Sequence, residues 1–160
     1  MSDILYSNKY FSVELRNRHF VVTEQNECNG AVIVPQLANG NYLMVEHFRP
    51  AINQASLEFP RGARDPGEDT AQTATRELLE ETGYAGDTPE FLGKLHTNNS
   101  LLASHIDLYV IRNAVRVAEA TDGEVANTRE VSKNEFKVLV STGQITDSHT
   151  LASFAYLVAQ

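Results

Sequence analysis

Glu77, Glu80 and Glu81 are spaced i, i+3 and i+4, so on a helix turning by 100° per residue they project within an arc of about 100°. Like charges placed this close repel by roughly a few tenths of a kcal/mol per pair in an isolated helix, an arrangement that a bound cation stabilises. Carboxylate oxygens are hard ligands suited to Mg²⁺ or Mn²⁺, and the lack of nearby Cys or of ordered His pairs argues against zinc. Mg²⁺ in turn points to a phosphate-bearing substrate. The alternative is a solvated acidic helix face. Two neighbours favour the cation. Ala71, Ala74 and Leu78 form an apolar stripe beside the carboxylates, so the acidic face borders the core instead of lying opposite it. Arg76, one turn before Glu80, can pair with a carboxylate and fix its direction, a role compatible with an ordinary helix salt bridge.

The elements around this run must hold it in place. Asp69 can cap the helix, with Gln72 in the capping-box position, and Gly83 stops it, so the spacing predicts a helix over residues 70–82. A Gly/Pro/Asp-rich loop at 60–67 and a short extended run at 55–59 lead into it. Residues 30–35 and 42–45 flank Asn39-Gly40, a strong hairpin-turn signal, and read as central strands. Residues 91–95 and 106–111 read as two more strands, and 133–141 and 147–158 as two helices joined by Thr142-Gly143-Gln144. Partial alternation over 10–15 and 19–23, around Arg16-Asn17-Arg18, predicts an N-terminal hairpin. There is no internal repeat and no interdomain linker. The expectation is a single α/β-type (α+β) domain over 1–160, a mixed sheet with helices packed against it, with 1–28 as an N-terminal hairpin extension.

Composition narrows the function. The chain has 160 residues, of which 42% are hydrophobic, enough for one compact domain with a normal core. Thirteen basic against 21 acidic residues give a net charge of −8, the wrong sign for a protein that grips long nucleic acid by its phosphates. Seven of the acids fall within residues 58–81, a density that suits a cation site or a solvated face. The single cysteine, Cys28, rules out an internal disulfide framework and fits a reducing compartment such as the cytoplasm. No signal peptide is evident, and no run approaches the roughly 20 apolar residues a membrane helix needs. His19, His105 and His149 lack metal-ligand spacing, and no Gly-x-Ser-x-Gly or Cys/His nucleophile arrangement occurs, so structural roles are expected for them.

The segment Gly62, then Glu68, then Arg76-Glu77-Leu78-Leu79-Glu80-Glu81-Thr82-Gly83-Tyr84 resembles the Nudix box, G-x5-E-x7-R-E-U-x-E-E-x-G-U, where U is a bulky aliphatic. Eight specified positions agree, and only Tyr84 departs, at a packing position. The resemblance implies the Nudix fold, a mixed sheet sandwiched between helices, with the box forming a loop–helix–loop that binds divalent cations. It implies Glu77, Glu80 and Glu81 as cation ligands, the Arg61 carbonyl as a further oxygen, Glu68 and Arg76 as support, and attack of water on a phosphorus of a nucleoside diphosphate derivative.

His47-Phe48-Arg49-Pro50 and Leu57-Glu58-Phe59-Pro60-Arg61-Gly62, together with Gly143-Gln144-Ile145-Thr146-Asp147, resemble the ADP-ribose pyrophosphatase branch. In that branch Arg49 and Glu58 would lie near the substrate, and Glu124, with Glu130 as its rival, would be the loop glutamate that acts as base or extra metal ligand; the alternatives are a surface ion pair, a strand-end charge and a solvated loop acid. N-terminal strands in this branch often pack on a second subunit, which implies a homodimer. One departure stands out: the branch usually carries a proline about sixteen residues after the box, and Leu95-His96-Thr97-Asn98-Asn99-Ser100 has none. Nucleoside diphosphate sugars other than ADP-ribose therefore stay open, and Asn98, Asn99 and Ser100 suit a turn or a sugar contact. A hydrolase of dinucleoside polyphosphates or nucleoside triphosphates, and a non-catalytic nucleotide-sugar sensor, are the rival functions.

Overall fold

The structure, a computed structural model, describes residues 3–24, 28–121, 123 and 125–160. Its first three strands, β1 (Asp3–Ser7), β2 (Phe11–Arg16) and β3 (His19–Glu24), form an antiparallel sheet in that order. Asn17 and Arg18 both have positive φ, 48° and 69°, the combination that lets a two-residue turn follow the twist of its strands. The hairpin expected here is thus present, and β1 adds a third strand. All five residues of β1 are exposed, so burial imposes no alternation that would reveal the strand in the sequence.

The larger sheet is built on β4 (Cys28–Leu37), which pairs in parallel with β10 (His105–Arg116) and antiparallel with β7 (Arg61–Ala63) and β5 (Tyr42–Arg49). β5 in turn pairs with β6 (Gln54–Glu58) and β11 (Val125–Val131), while β10 pairs with β9 (Glu90–Leu95) and β8 (Tyr84–Ala85). Successive β4 side chains point to opposite faces. Val32 and Val34 join Met44, Phe59, Val131 and Phe136 in one core cluster, against which Leu151 and Phe154 pack; Ala31 and Ile33 join Ala74, Leu78, Tyr109 and Ile111 in a second. Helix α1 (Thr70–Thr82) therefore covers one face, and α2 (Lys133–Ser141) with α3 (Ser148–Val158) covers the other. This is the mixed sheet between helices that the sequence implied.

Helix α1 begins and ends where its own residues dictate. The Asp69 side chain accepts from the Gln72 N–H at 2.8 Å and the Asp69 N–H donates to the Gln72 side chain at 2.8 Å, the reciprocal capping box. Gly83 takes the left-handed conformation at φ 74° and returns its N–H to Leu79 O, a helix stop that favours glycine. The segment after β10 docks on this end: the Val117 and Ala118 N–H groups donate to Gly83 O, and that of Thr121 to Glu80 O. One expectation needs correction, and one strand lies in a stretch to which the sequence assigned no element. Residues 60–67 are not all loop, because 61–63 form β7, and β11 occupies 125–131, a stretch too polar to read as a strand because residues 127–130 are exposed.

Candidate active site

The box loop and helix bring three groups of side chains together. In the first, Arg76 sits among carboxylates: its Nε donates to Glu68 Oε1 at 2.9 Å, Nη1 to Glu77 Oε1 at 2.7 Å and to Glu80 Oε2 at 3.0 Å, and Nη2 to Ala63 O at 2.9 Å. The guanidinium hydrogen-bonded to Glu68 holds that carboxyl down to about 2, and the same carboxylates raise Arg76. The resulting order ties the loop to the helix through one side chain.

The second group surrounds Glu81, which is 2% exposed. The Arg61 N–H donates to Glu81 Oε2 at 3.2 Å, and His47 Nε2 lies 3.3 Å from Oε1. His47 is itself buried. Sequence reading gave His47 no role of its own, although the signal was present: in β5, His47 and Arg49 are two residues apart and so share a face.

The third group is centred on Glu58, 1% exposed at the end of β6. The fork of Arg49 grips both its oxygens and Arg61 Nε donates to Oε2 at 3.3 Å. Burial works to raise the Glu58 pKa, yet the Arg49 hydrogen bond and the nearby Arg61 charge leave it below the usual carboxylate range. A buried carboxylate is tolerated only with such partners, so Glu58 and Arg49 form an internal pair and not a surface one. Asp147, the N-cap of α3, lies close enough to act on both charges. Burial works to raise Asp147 too, but His149 and Thr150 hold it well below its ordinary value. Its Oδ2 accepts from Thr150 N and Thr150 Oγ1, both at 2.8 Å, and Thr150 Oγ1 accepts from Phe59 N–H at 2.9 Å. Helix α3 thereby fixes the backbone between Glu58 and Arg61.

The donor set fits a divalent cation. Glu68, Glu77 and Glu80 surround one guanidinium, with Asp65 Oδ2 3.8 Å from Arg76 Nε, an excess of negative charge offered wholly by hard oxygens. Gly62 leaves room for it: a Cβ there would lie 1.9 Å from Glu77 Cδ. Among the described residues no three His, Cys, Asp or Glu side chains converge closely enough to hold a metal ion as they stand; Glu77 and Glu80 are hydrogen-bonded to Arg76 instead.

Glu124 lies outside the described residues. Its rival Glu130 does not join the site: it accepts from Asn39 and Asn41 at 2.8 and 2.6 Å and pairs with Leu43, whereas Val125 pairs with His47. Four residues of β5 separate these two positions, about 13 Å. The stretch 98–100 is a turn, with Leu101 N–H donating to Asn98 O and Ser100 Oγ to Asn98 Oδ1. Beside the box a cavity of about 430 Å³ is lined by Arg61, Gly62, Glu24, Ser104, His105 and His149, among others. Sequence reading gave His105 and His149 structural roles, and the fold brings both to the wall of this cavity.

Among the described residues no helix is long and apolar enough to cross a membrane. A family model described as the NUDIX domain matches residues 29–154. The chain is 32% identical over 152 residues to the methanol dehydrogenase activator of Bacillus methanolicus, covering 92% of this chain and 82% of that protein. It is 27% identical over 149 residues to the ADP-ribose pyrophosphatase of Bacillus subtilis (strain 168), covering 91% and 80%. A crystal structure of an ADP compounds hydrolase superposes with a TM-score of 0.81 at 18% identity, over 99% of this chain and 90% of that one, a likeness of fold. Nudix hydrolases act on small nucleotides and generally use divalent metal ions, and with the box, the sheet and the matched residues in agreement the chain belongs to that family.

Proposed function

We propose that the chain hydrolyses the pyrophosphate bond of a nucleoside diphosphate joined to a sugar, of the ADP-ribose kind, giving a nucleoside monophosphate and a sugar phosphate, with Mg²⁺ or Mn²⁺ as cofactor. The observation that carries this reading is the junction at Arg61: its backbone N–H holds Glu81 and its side chain shares Glu58 with Arg49, so the carboxylate site and a pair of guanidiniums meet at one residue. Glu77, Glu80, Glu81 and the Arg61 carbonyl would hold the metal, with Glu68 supporting Arg76. When bound, the metal would neutralise phosphate charge and make a water easier to deprotonate. Arg49 and Arg61, kept in place by Glu58, would orient the phosphates for in-line attack. Glu124 would take the proton from the attacking water; its neighbour Val125 pairs with His47, beside Glu81. Similarity to an ADP-ribose pyrophosphatase supports the substrate class. The exposed apolar residues Ile4, Leu5, Tyr6 and Phe20 favour a homodimer joined through the N-terminal sheet, and the lone cysteine favours a reducing compartment, the cytoplasm.

The test is turnover of ADP-ribose, other nucleoside diphosphate sugars, dinucleoside polyphosphates and nucleoside triphosphates, with and without Mg²⁺, by wild type and Glu81→Gln. Metal-dependent cleavage of a nucleoside diphosphate sugar, reduced at least a hundredfold in E81Q, is expected on the scale at which positioned electrostatic groups act. Cleavage only of triphosphates or dinucleotides, or undiminished activity of E81Q, would overturn it.

A further inference from the structure

Glu24 closes β3 at the wall of the cavity that also contains Arg61 and Gly62. It is half-buried, and its partners are neutral: the Asn29 side-chain amide and the Ser104 hydroxyl both donate to Oε2. Asn29 Nδ2 also donates to Ser104 Oγ at 3.1 Å, and Ser104 is 5% exposed. Among the described residues both bonds to Glu24 enter through one oxygen, so Oε1 remains as an acceptor. The register links this group to the box. Ala31 pairs with Gly62 and Arg64 N–H donates to Asn29 O, so Asn29 stands two residues along β4 from the Gly62 position, about 7 Å.

The cavity therefore offers two chemistries a short distance apart. Arg61 at the box suits phosphate. A carboxylate repels phosphate and accepts from neutral donors; a pair of adjacent hydroxyls supplies two such donors. We infer that Glu24, buttressed by Asn29 and Ser104, binds the vicinal diol of the substrate's sugar, and so selects ribose-like nucleotide sugars over their deoxy counterparts. This rests on the nucleoside diphosphate sugar reading. The diol could belong to the ribose of the nucleoside or to the sugar at the far end, a choice the experiment resolves.

Wild type, Glu24→Gln and Ser104→Ala are compared by calorimetric binding with Ca²⁺ and by turnover with Mg²⁺. The ligands are ADP-ribose, its two analogues lacking the 2-hydroxyl of one or the other ribose, and the inosine analogue that lacks the base amine. In E24Q, Kd and KM for ADP-ribose should rise about tenfold, the scale of a hydrogen bond to a charged group, with kcat changed less than about threefold. S104A should show a smaller rise of the same kind. One deoxy analogue should bind wild type about tenfold more weakly and lose nothing further in E24Q, which names the ribose. Unchanged ADP-ribose binding in E24Q would overturn the inference, as would a loss that persists with both deoxy analogues but vanishes with the inosine one. Glu24-dependent binding of ADP-ribose without hydrolysis would defeat the pyrophosphatase reading alone. Absence of binding to wild type would defeat both.

Discussion

At Gly62 a hydrogen stands where any other residue would place a carbon against the Glu77 carboxylate. Because that carboxylate is the end of a flexible side chain, Gly62→Ala should move Glu77 without unfolding the protein. The expected result is at least a tenfold loss of kcat/KM and a weaker response to Mg²⁺, with a melting temperature within a few degrees of wild type, checked by kinetics across a Mg²⁺ titration and by thermal melts. Glu68 permits a second prediction. Its pKa in the folded protein, about 2, lies below the ordinary glutamate value of 4.5 because Arg76 favours the charged form. The pair's contribution is therefore complete above about pH 4.5 and is lost as pH falls toward 2. Across that window the melting temperature of wild type should fall more steeply than that of Glu68→Gln; parallel curves would show that the pair contributes nothing. The box residues were legible because their spacing is local, three carboxylates and an arginine within two turns of one helix. His47 and Glu24 were not, because their partners, Glu81 in one case and Asn29 and Ser104 in the other, lie on other elements and nothing in the spacing joins them.

Elements differ in how openly the sequence announces them. Helix α1 spans Thr70–Thr82 between a capping box and a left-handed glycine, all written in adjacent residues, and its limits were read correctly. Strands β1 and β11 are largely exposed, and β8 has two residues, so these strands exist through pairing with distant partners and not through their own pattern. The least visible contribution is that of α3. Thr150 never approaches the box in sequence, yet its hydroxyl accepts the Phe59 N–H in the stretch that delivers Glu58 and Arg61. Thr150→Val keeps the shape and removes the acceptor, leaving a buried donor unpaired. We expect a loss of about 1–3 kcal/mol in chemical denaturation, with a fall in kcat/KM larger than that of a surface substitution on the same helix. Wild-type stability in that variant would show that the backbone here needs no support from α3.

For the molecule as a whole, a net charge of −8 sets an anionic substrate against a general repulsion, which makes the local positive charge of Arg49 and Arg61 decisive. The N-terminal sheet leaves Ile4 67% and Phe20 59% exposed, an apolar surface that contact with a second copy would cover. If the homodimer forms there, wild type should sediment as a dimer and Ile4→Asp combined with Phe20→Asp as a monomer; a wild-type monomer at micromolar concentration would remove that proposal. The layering of helices on a mixed sheet followed from the alternation of segments, whereas the cavity between the box and Glu24 arises only when the N-terminal sheet meets β4 and the residues before β10. One further consequence concerns residues 117–121. Among the described residues their hydrogen bonds to the end of α1 run through backbone groups, the N–H groups of Val117, Ala118 and Thr121 to Gly83 O and Glu80 O, so the attachment tolerates any side chain but proline, which lacks the N–H, and is sensitive to how many residues the segment has. Over generations such a stretch can drift in identity, proline excepted, while its length stays under selection, and a survey of random variants should find substitutions other than proline there silent and single-residue deletions damaging.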